Sequence, residues 1–149
     1  MLQYRIALPS DIPEIQRVRN AVTENRLSNP SRISDKMVEE FMMVRGRGWV
    51  CETGGIITGF AIADHVDENI WALFVDPRFE GQGIGKTLQR MMLDWYFEKK
   101  ETVWLSTAPG TRAETFYTMT GWRKTGRTAT NETKFEMRKE DWDALKRSR

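Results

Sequence analysis

Residues 70 to 107 constrain the fold more than any other part of the chain. A nearly unbroken apolar run, Ile70 to Val75, ends at Asp76-Pro77 and gives way to the glycine loop Glu80-Gly81-Gln82-Gly83-Ile84-Gly85-Lys86-Thr87. Ile84, Leu88, Met91, Met92 and Trp95 then recur at helical spacing to about Lys99, and Thr102 to Thr107 reads as a second strand. Strand, loop, helix and strand make a βαβ unit, whose two strands are parallel and joined by a right-handed crossover. A run as apolar as Ile70 to Val75 is expected to be buried on both faces.

The flanking segments build outward from this unit. Tyr4 to Leu8 reads as a short strand stopped by Pro9, Ser10 and Asp11 offer an N-cap, and Ile12, Ile15, Val18 and Val22 define an amphipathic helix over roughly residues 11 to 24. Turn formers break it, and Ser34 caps a second helix, with Met37, Val38, Phe41 and Met42 on its apolar side, that ends before Gly46. Trp49 to Glu52 and Ile56 to Ala63 form a hairpin across Gly54-Gly55, and Gly59 marks a bulge or a close backbone approach. Pro109-Gly110 opens a short helix that Gly121 closes in the left-handed conformation. Strands over roughly Trp122 to Gly126 and Thr133 to Arg138 follow, with a short helix from Asp141. The predicted order is β-α-α-β-β-β-α-β-α-β-β, an α/β fold with a mixed central sheet flanked by helices.

Composition narrows the function classes. A chain of 149 residues should bury roughly 70% of its unfolded surface, enough for one core and one domain over residues 1–149. A net charge of +2 argues against nucleic acid or an anionic membrane as the main partner, because both need many uncompensated cations. One cysteine, Cys51, and one histidine, His65, exclude an internal disulfide and a Cys/His zinc set. No apolar run is long enough for a secretory signal or a membrane span, so a soluble cytoplasmic protein is expected.

The glycine loop carries the chemistry. Alternate glycines let the backbone turn tightly and present several N–H groups where a helix begins, an arrangement that suits phosphate or pyrophosphate. Two phosphate motifs fail here. A Walker A loop needs glycine where Glu80 stands, and a dinucleotide fingerprint needs its third glycine where Lys86 stands. Glu80-Gly81-Gln82-Gly83-Ile84-Gly85 instead resembles motif A of the GNAT superfamily of N-acetyltransferases, R/Q-x-x-G-x-G/A. Ala113-x-x-Phe116-Tyr117-x-x-x-Gly121-Trp122 resembles that family's A-x-x-F-Y-x-x-x-G-F signature. Two positions depart from the pattern: Glu80 replaces Arg or Gln, and Gly110 stands where many relatives carry an Asn that contacts the cofactor.

The resemblance implies a GNAT-like sheet and acetyl-CoA as co-substrate, its acetyl group moving directly to a primary amine of a small or amino-acid-like molecule. Backbone groups of Phe74 and Val75 would polarise the thioester carbonyl. N–H groups of Gln82, Gly83, Ile84, Gly85 and Lys86 would hold the pyrophosphate, assisted by the side chains of Lys86 and Thr87. Tyr117 falls on the general-acid position, where a phenol of pKa about 10 is matched to a thiol of about 8.5; its place on the Ala113, Phe116, Thr120 stripe also fits a core tyrosine. Glu24, Glu68, Asp64, His65 or an ordered water is expected to take the amine's proton. The loop from Asn25 to Ile33, with Arg26, Ser28 and Arg32, is expected to border a pocket for a polar or carboxylate-bearing amine. A protein or aminoacyl-tRNA amine as acceptor, a non-catalytic CoA-binding sensor, and a homodimer paired through sheet edges are the other readings.

Overall fold

Alternation along the central strands sorts the apolar side chains into two cores on opposite faces of one sheet. A computed structural model describes residues 1–22 and 33–148. The strands are β1 (Gln3–Ile6), β2 (Gly46–Thr53), β3 (Ile56–Asp64), β4 (Asn69–Val75), β5 (Thr102–Thr107), β6 (Arg123–Arg127) and β7 (Thr133–Arg138). They form a seven-stranded sheet in the order β1-β2-β3-β4-β5-β7-β6. Neighbours are antiparallel except β4 and β5, which are parallel as the βαβ reading requires. The last strand in sequence, β7, lies between β5 and β6.

Five α-helices cover the faces: α1 (Ile12–Ala21), α2 (Asp35–Glu40), α3 (Ile84–Tyr96), α4 (Arg112–Met119) and α5 (Lys139–Arg147). One core joins Ile12, Ile15 and Val18 of α1 and Val38 of α2 to Val50, Phe60 and Ile62. The other joins Leu88, Met92 and Leu93 of α3, Tyr117 of α4 and Trp142 of α5 to Trp49, Cys51, Ala61 and Phe135. Adjacent strand residues such as Phe60 and Ala61 enter opposite cores because strand side chains alternate. Among the described residues no helix is long and apolar enough to cross a membrane.

Several local expectations are met by the backbone. Gly54 and Gly55, at φ +56° and +83°, form the two-residue turn between β2 and β3. Ser34 Oγ accepts from Met37 N at 3.1 Å and caps α2. Gly121, at φ +96°, lets Trp122 N reach back to Tyr117 O at 3.2 Å and closes α4. Gly59 lies beside a bulge, since Cys51 pairs with Gly59 and Glu52 with Ile57. It also marks a close approach: a Cβ there would lie 2.9 Å from Ile84 Cγ2 and 3.1 Å from Phe74 O.

Other expectations are corrected. Asp11 is the N-cap residue of α1 as expected, but its side chain makes no bond to the helix amides: the carboxylate accepts from Arg5 at 2.8 and 2.9 Å and from Leu8 N at 2.8 Å. The helix spans Ile12–Ala21 rather than 11 to 24. β1 ends at Ile6 rather than Leu8, where its pairing with Trp49 stops. The second helix ends before Gly46 as expected, its last turn, Phe41–Arg45, being π-helical, but β2 starts at Gly46 rather than at Trp49. Thr111, not Pro109-Gly110, caps α4 by accepting from Glu114 N. The C-terminal helix begins at Lys139, directly after β7, rather than at Asp141.

The main correction concerns β4. Ile70 and Ala72 are buried as expected, but Leu73, Phe74 and Val75 are only half-buried. The parallel ladder to β5 consists of the single pair Asn69 and Trp104. Beyond it, Ile62 pairs with Ala72 and Ala63 with Ile70, leaving Trp71 as the extra residue of a bulge. The two strands separate there and a cleft opens between them.

Candidate active site

The cleft is built where β4, the glycine loop and α4 converge. It encloses about 350 Å³, with Leu73, Phe74 and Val75 of β4 on one side and Ala113, Phe116 and Tyr117 of α4 on another. Glu80, Gly81, Gly83, Ile84, Gly85 and Lys86 form its rim, and Val22 closes it from the end of α1. A smaller cavity of about 90 Å³ lies between the parted strands, lined by Ile70 to Leu73, Leu105 to Thr107, Ala113, Tyr117 and Glu132. Leu73, Ala113 and Tyr117 border both spaces.

Gly81 and Gly83 both have φ +78°, and nothing lies within 4 Å of where either Cβ would be. That conformation suits glycine and leaves the loop's backbone open. The first bond of α3 runs from Thr87 N to Gly83 O at 3.1 Å. The amides of Ile84, Gly85 and Lys86 therefore have no acceptor within the helix. Together with the positive end of the helix dipole they make a rim whose chemistry suits an anion.

Asp76 braces the turn that leads from β4 to the glycine loop. Its carboxylate accepts from Arg78 N at 3.0 Å and from Arg78 Nη2 at 2.8 Å, and Arg17 of α1 reaches it at 3.0 Å. These bonds, those to Arg78 foremost, hold the Asp76 carboxyl well below the ordinary carboxylate range. Glu80 pairs with Arg112 of α4. The carboxylate that departs from the family pattern thus has a cation beside it on the cleft wall. At the other departure, Gly110 N donates to Glu114 Oε1 at 3.0 Å.

Tyr117 is 7% exposed, and burial raises its phenol above the ordinary tyrosine value. The three tyrosines have different settings. Tyr96 gives its hydroxyl to Thr102 O at 2.6 Å, and Tyr4 lies beside Thr87, whereas the Tyr117 hydroxyl has no hydrogen-bond partner among the described residues. Rings of Phe116, Trp122 and Phe135 surround it, with centroids 5.3, 5.7 and 5.9 Å away. It is packed like a core residue and still borders both cavities.

The structure separates the other expected site residues. Phe74, Val75, Gly83, Ile84, Gly85 and Lys86 line the cleft, while the side chains of Gln82 and Thr87 do not. Glu68 lies before β4, at the end opposite the glycine loop, with its carboxylate 3.4 Å from Lys100 Nζ. Asp64 is buried there and held by Arg45 Nη2 at 2.8 Å. His65 stacks on Trp95 at 4.2 Å, and burial lowers its pKa. None of these three borders either cavity. Glu24, Asn25, Arg26, Ser28 and Arg32 lie outside the described residues.

Glu132 is the carboxylate that the sequence reading missed. It lines the smaller cavity with Tyr117 and accepts from Ser106 Oγ of β5 at 2.7 Å. It sits just before β7, where Thr128 N bonds to Glu132 O at 2.9 Å. In sequence it is one more acid in a polar turn; pairing β5 with β7 is what brings it to Tyr117.

The family model described as Acetyltransferase (GNAT) family matches residues 15–122. A GNAT acetyltransferase of Staphylococcus aureus superposes with TM-score 0.80 at 16% identity, covering 93% of this chain and 99% of that one. The PaiA N-acetyltransferase of Thermoplasma acidophilum, solved with coenzyme A, gives 0.78 at 13% identity over 93% and 99%. The ribosomal-protein-S18-alanine N-acetyltransferase of Escherichia coli gives 0.71 at 19% identity over 92% of each chain. Comparison with curated proteins gives no match. At these identities the superpositions establish a shared fold, and with the family model spanning both the glycine loop and Tyr117, the chain belongs to the GNAT acetyltransferase family.

Proposed function

We propose that the chain, acting as one cytoplasmic domain, uses acetyl-CoA to N-acetylate the primary amine of a small molecule. The observation that carries this reading is the position of Tyr117, which borders both the cleft and the cavity between β4 and β5 and whose hydroxyl has no hydrogen-bond partner among the described residues. The chain's residues suit the co-substrate: amides of Ile84, Gly85 and Lys86 are open to an anion, Lys86 adds positive charge, and Leu73, Val75, Ala113 and Phe116 offer apolar walls. The Thermoplasma relative's complex with coenzyme A supports the same assignment. Acetyl-CoA supplies the acetyl group as a thioester.

Each remaining role falls to a group of this chain. Beyond Asn69 the β5-facing side of β4 has no strand partner; Asp76 N bonds to Thr58 O, so the Phe74 backbone is turned to β3 and that of Val75 is the one left available to polarise a carbonyl. Tyr117, kept protonated by burial, donates its phenolic proton to the departing thiolate. Glu132, oriented by Ser106, takes the proton that the attacking ammonium must lose. A cavity of about 90 Å³ favours a small acceptor over a folded protein or a tRNA.

Thermal unfolding with acetyl-CoA, against ATP and NAD as controls, tests the first part. At about 100 times its dissociation constant the ligand adds about 2.7 kcal/mol of stability, a shift of several degrees. Release of free thiol with a panel of amines tests the second. A shift with acetyl-CoA and no turnover with any amine would leave a CoA-binding sensor in place of an enzyme.

A further inference from the structure

The sheet face that carries α1 and α2 holds a buried charge that has no counter-charge among the described residues. Arg19 of α1 is 5% exposed; its Nη1 donates to Gln16 Oε1 at 3.2 Å, and its guanidinium lies 5.1 Å from the Trp71 ring centroid. No carboxylate of a described residue reaches it. Three other arginines are answered: Arg5 by Asp11 and Glu52, Arg17 by Glu14 and Asp76, Arg45 by Asp64 and Asp67. A guanidinium has five donors in a fork that fits a carboxylate, and Arg19 uses one of them on a neutral amide. Burial lowers its pKa to about 10, so it remains a cation at neutral pH. A buried, uncompensated cation is unfavourable unless something supplies the missing anion.

Arg19 lines neither cavity itself, but residues beside it do. Trp71 is the bulged residue of β4 and borders the cavity shared by Tyr117, Ser106 and Glu132. Phe41 stacks on the same indole, centroids 4.0 Å apart and planes 9° from parallel, and holds it in place. Val22, one helical turn beyond Arg19, lines the larger cleft. Arg19 thus lies against a wall residue of one cavity and one turn from a wall residue of the other.

We propose that Arg19 binds a carboxylate on the acceptor, so that the substrates are amino-acid-like amines whose amino group reaches Tyr117 and Glu132. This rests on the acetyl-transfer reading above and narrows it to one acceptor class.

The test pairs free amino acids with their carboxamides as acceptors, using the full-length protein and Arg19→Met and Arg19→Lys variants. The wild type is expected to prefer the acid of a productive pair by about 10- to 100-fold in kcat/KM, the range of a charge-assisted bond. Arg19→Met should lose that preference through KM, with turnover of the amide falling far less than that of the acid, while Arg19→Lys retains part of the preference. Carboxamides of Asp and Glu, which keep only the side-chain carboxylate, distinguish that source of the anion from the α-carboxylate. Equal turnover of acids and amides by the wild type, or equal loss on both in Arg19→Met, overturns the proposal and leaves acetyl transfer standing. A second readout does not need turnover: with CoA bound, N-acetyl amino acids should raise the wild-type melting temperature more than their amides do, and not that of Arg19→Met. Absence of that difference overturns the proposal whether or not any amine is acetylated.

Discussion

Trp122 gives its indole N–H to Gln89 Oε1 at 2.9 Å, a buried bond between residues 33 positions apart. It ties the end of α4 to the middle of α3. The Tyr117 ring packs edge-on against Trp122, so this bond also sets the phenol against the helix that begins at the glycine loop. The family signature has Phe at this position, which carries no donor.

Trp122→Phe should therefore expose its cost through Gln89. Its amide oxygen would keep a long contact of 3.5 Å from Thr120 and lose its principal donor. A loss of about 1–3 kcal/mol is expected from urea unfolding.

Tyr117→Phe removes one oxygen that forms no hydrogen bond with any described residue. Stability should change by less than about 1 kcal/mol, because no bond is broken. If the phenol is the general acid, kcat falls by about 100-fold or more while affinity for CoA stays the same. Equal kcat values for the two proteins would remove Tyr117 from the chemistry.

Gly83→Ala places a Cβ at φ +78°. No neighbour obstructs it, so the loss of about 1 kcal/mol comes from the backbone. Relief of that strain turns the amides of the rim, and weaker CoA binding by calorimetry should accompany the lower melting temperature.

Asp76→Asn should be visible in pH dependence. The native carboxyl titrates below its unfolded value, so its stabilisation is fully present above about pH 4 and disappears as pH falls through the native value. With partners 35% and 64% exposed, the effect near neutrality is about 1–2 kcal/mol. The gap between variant and wild type in melting temperature should close as the solution is acidified.

Glu132→Gln removes the group assigned to take the amine's proton. At neutral pH kcat should drop by about 100-fold. The deficit should shrink as pH rises and more acceptor arrives unprotonated. A constant deficit across pH would mean that Glu132 holds the cavity's shape rather than a proton.

Much of the fold was legible because local chemistry and tertiary structure agree. Gly54-Gly55 had to be a turn, Gly121 had to end α4, and the apolar period marked α3. Three features were hidden. Asp11 has the chemistry of a cap, but Arg5, brought beside it by the fold, outcompetes the helix amides. Leu73, Phe74 and Val75 look like a strand buried on both faces, and separation of β4 from β5 beyond Trp71 is not written in that run. Glu68 lies next to β4 in sequence and far from the loop in space, whereas Glu132 is distant in sequence and beside Tyr117. The glycine loop and Tyr117 were readable because their motifs are contiguous; the partner carboxylate was not, because strand order brings it there.

That strand order also has a consequence for synthesis. The sheet runs β5-β7-β6, so the strand between the other two leaves the ribosome after both. Until Arg138 emerges, β5 and β6 lack the ladder that joins them, and Glu132 has not been drawn up to Ser106. Chains halted or clipped between Arg127 and Thr133 would therefore retain the glycine loop and Tyr117 while exposing an open strand edge, the kind of surface that chaperones and proteases act on.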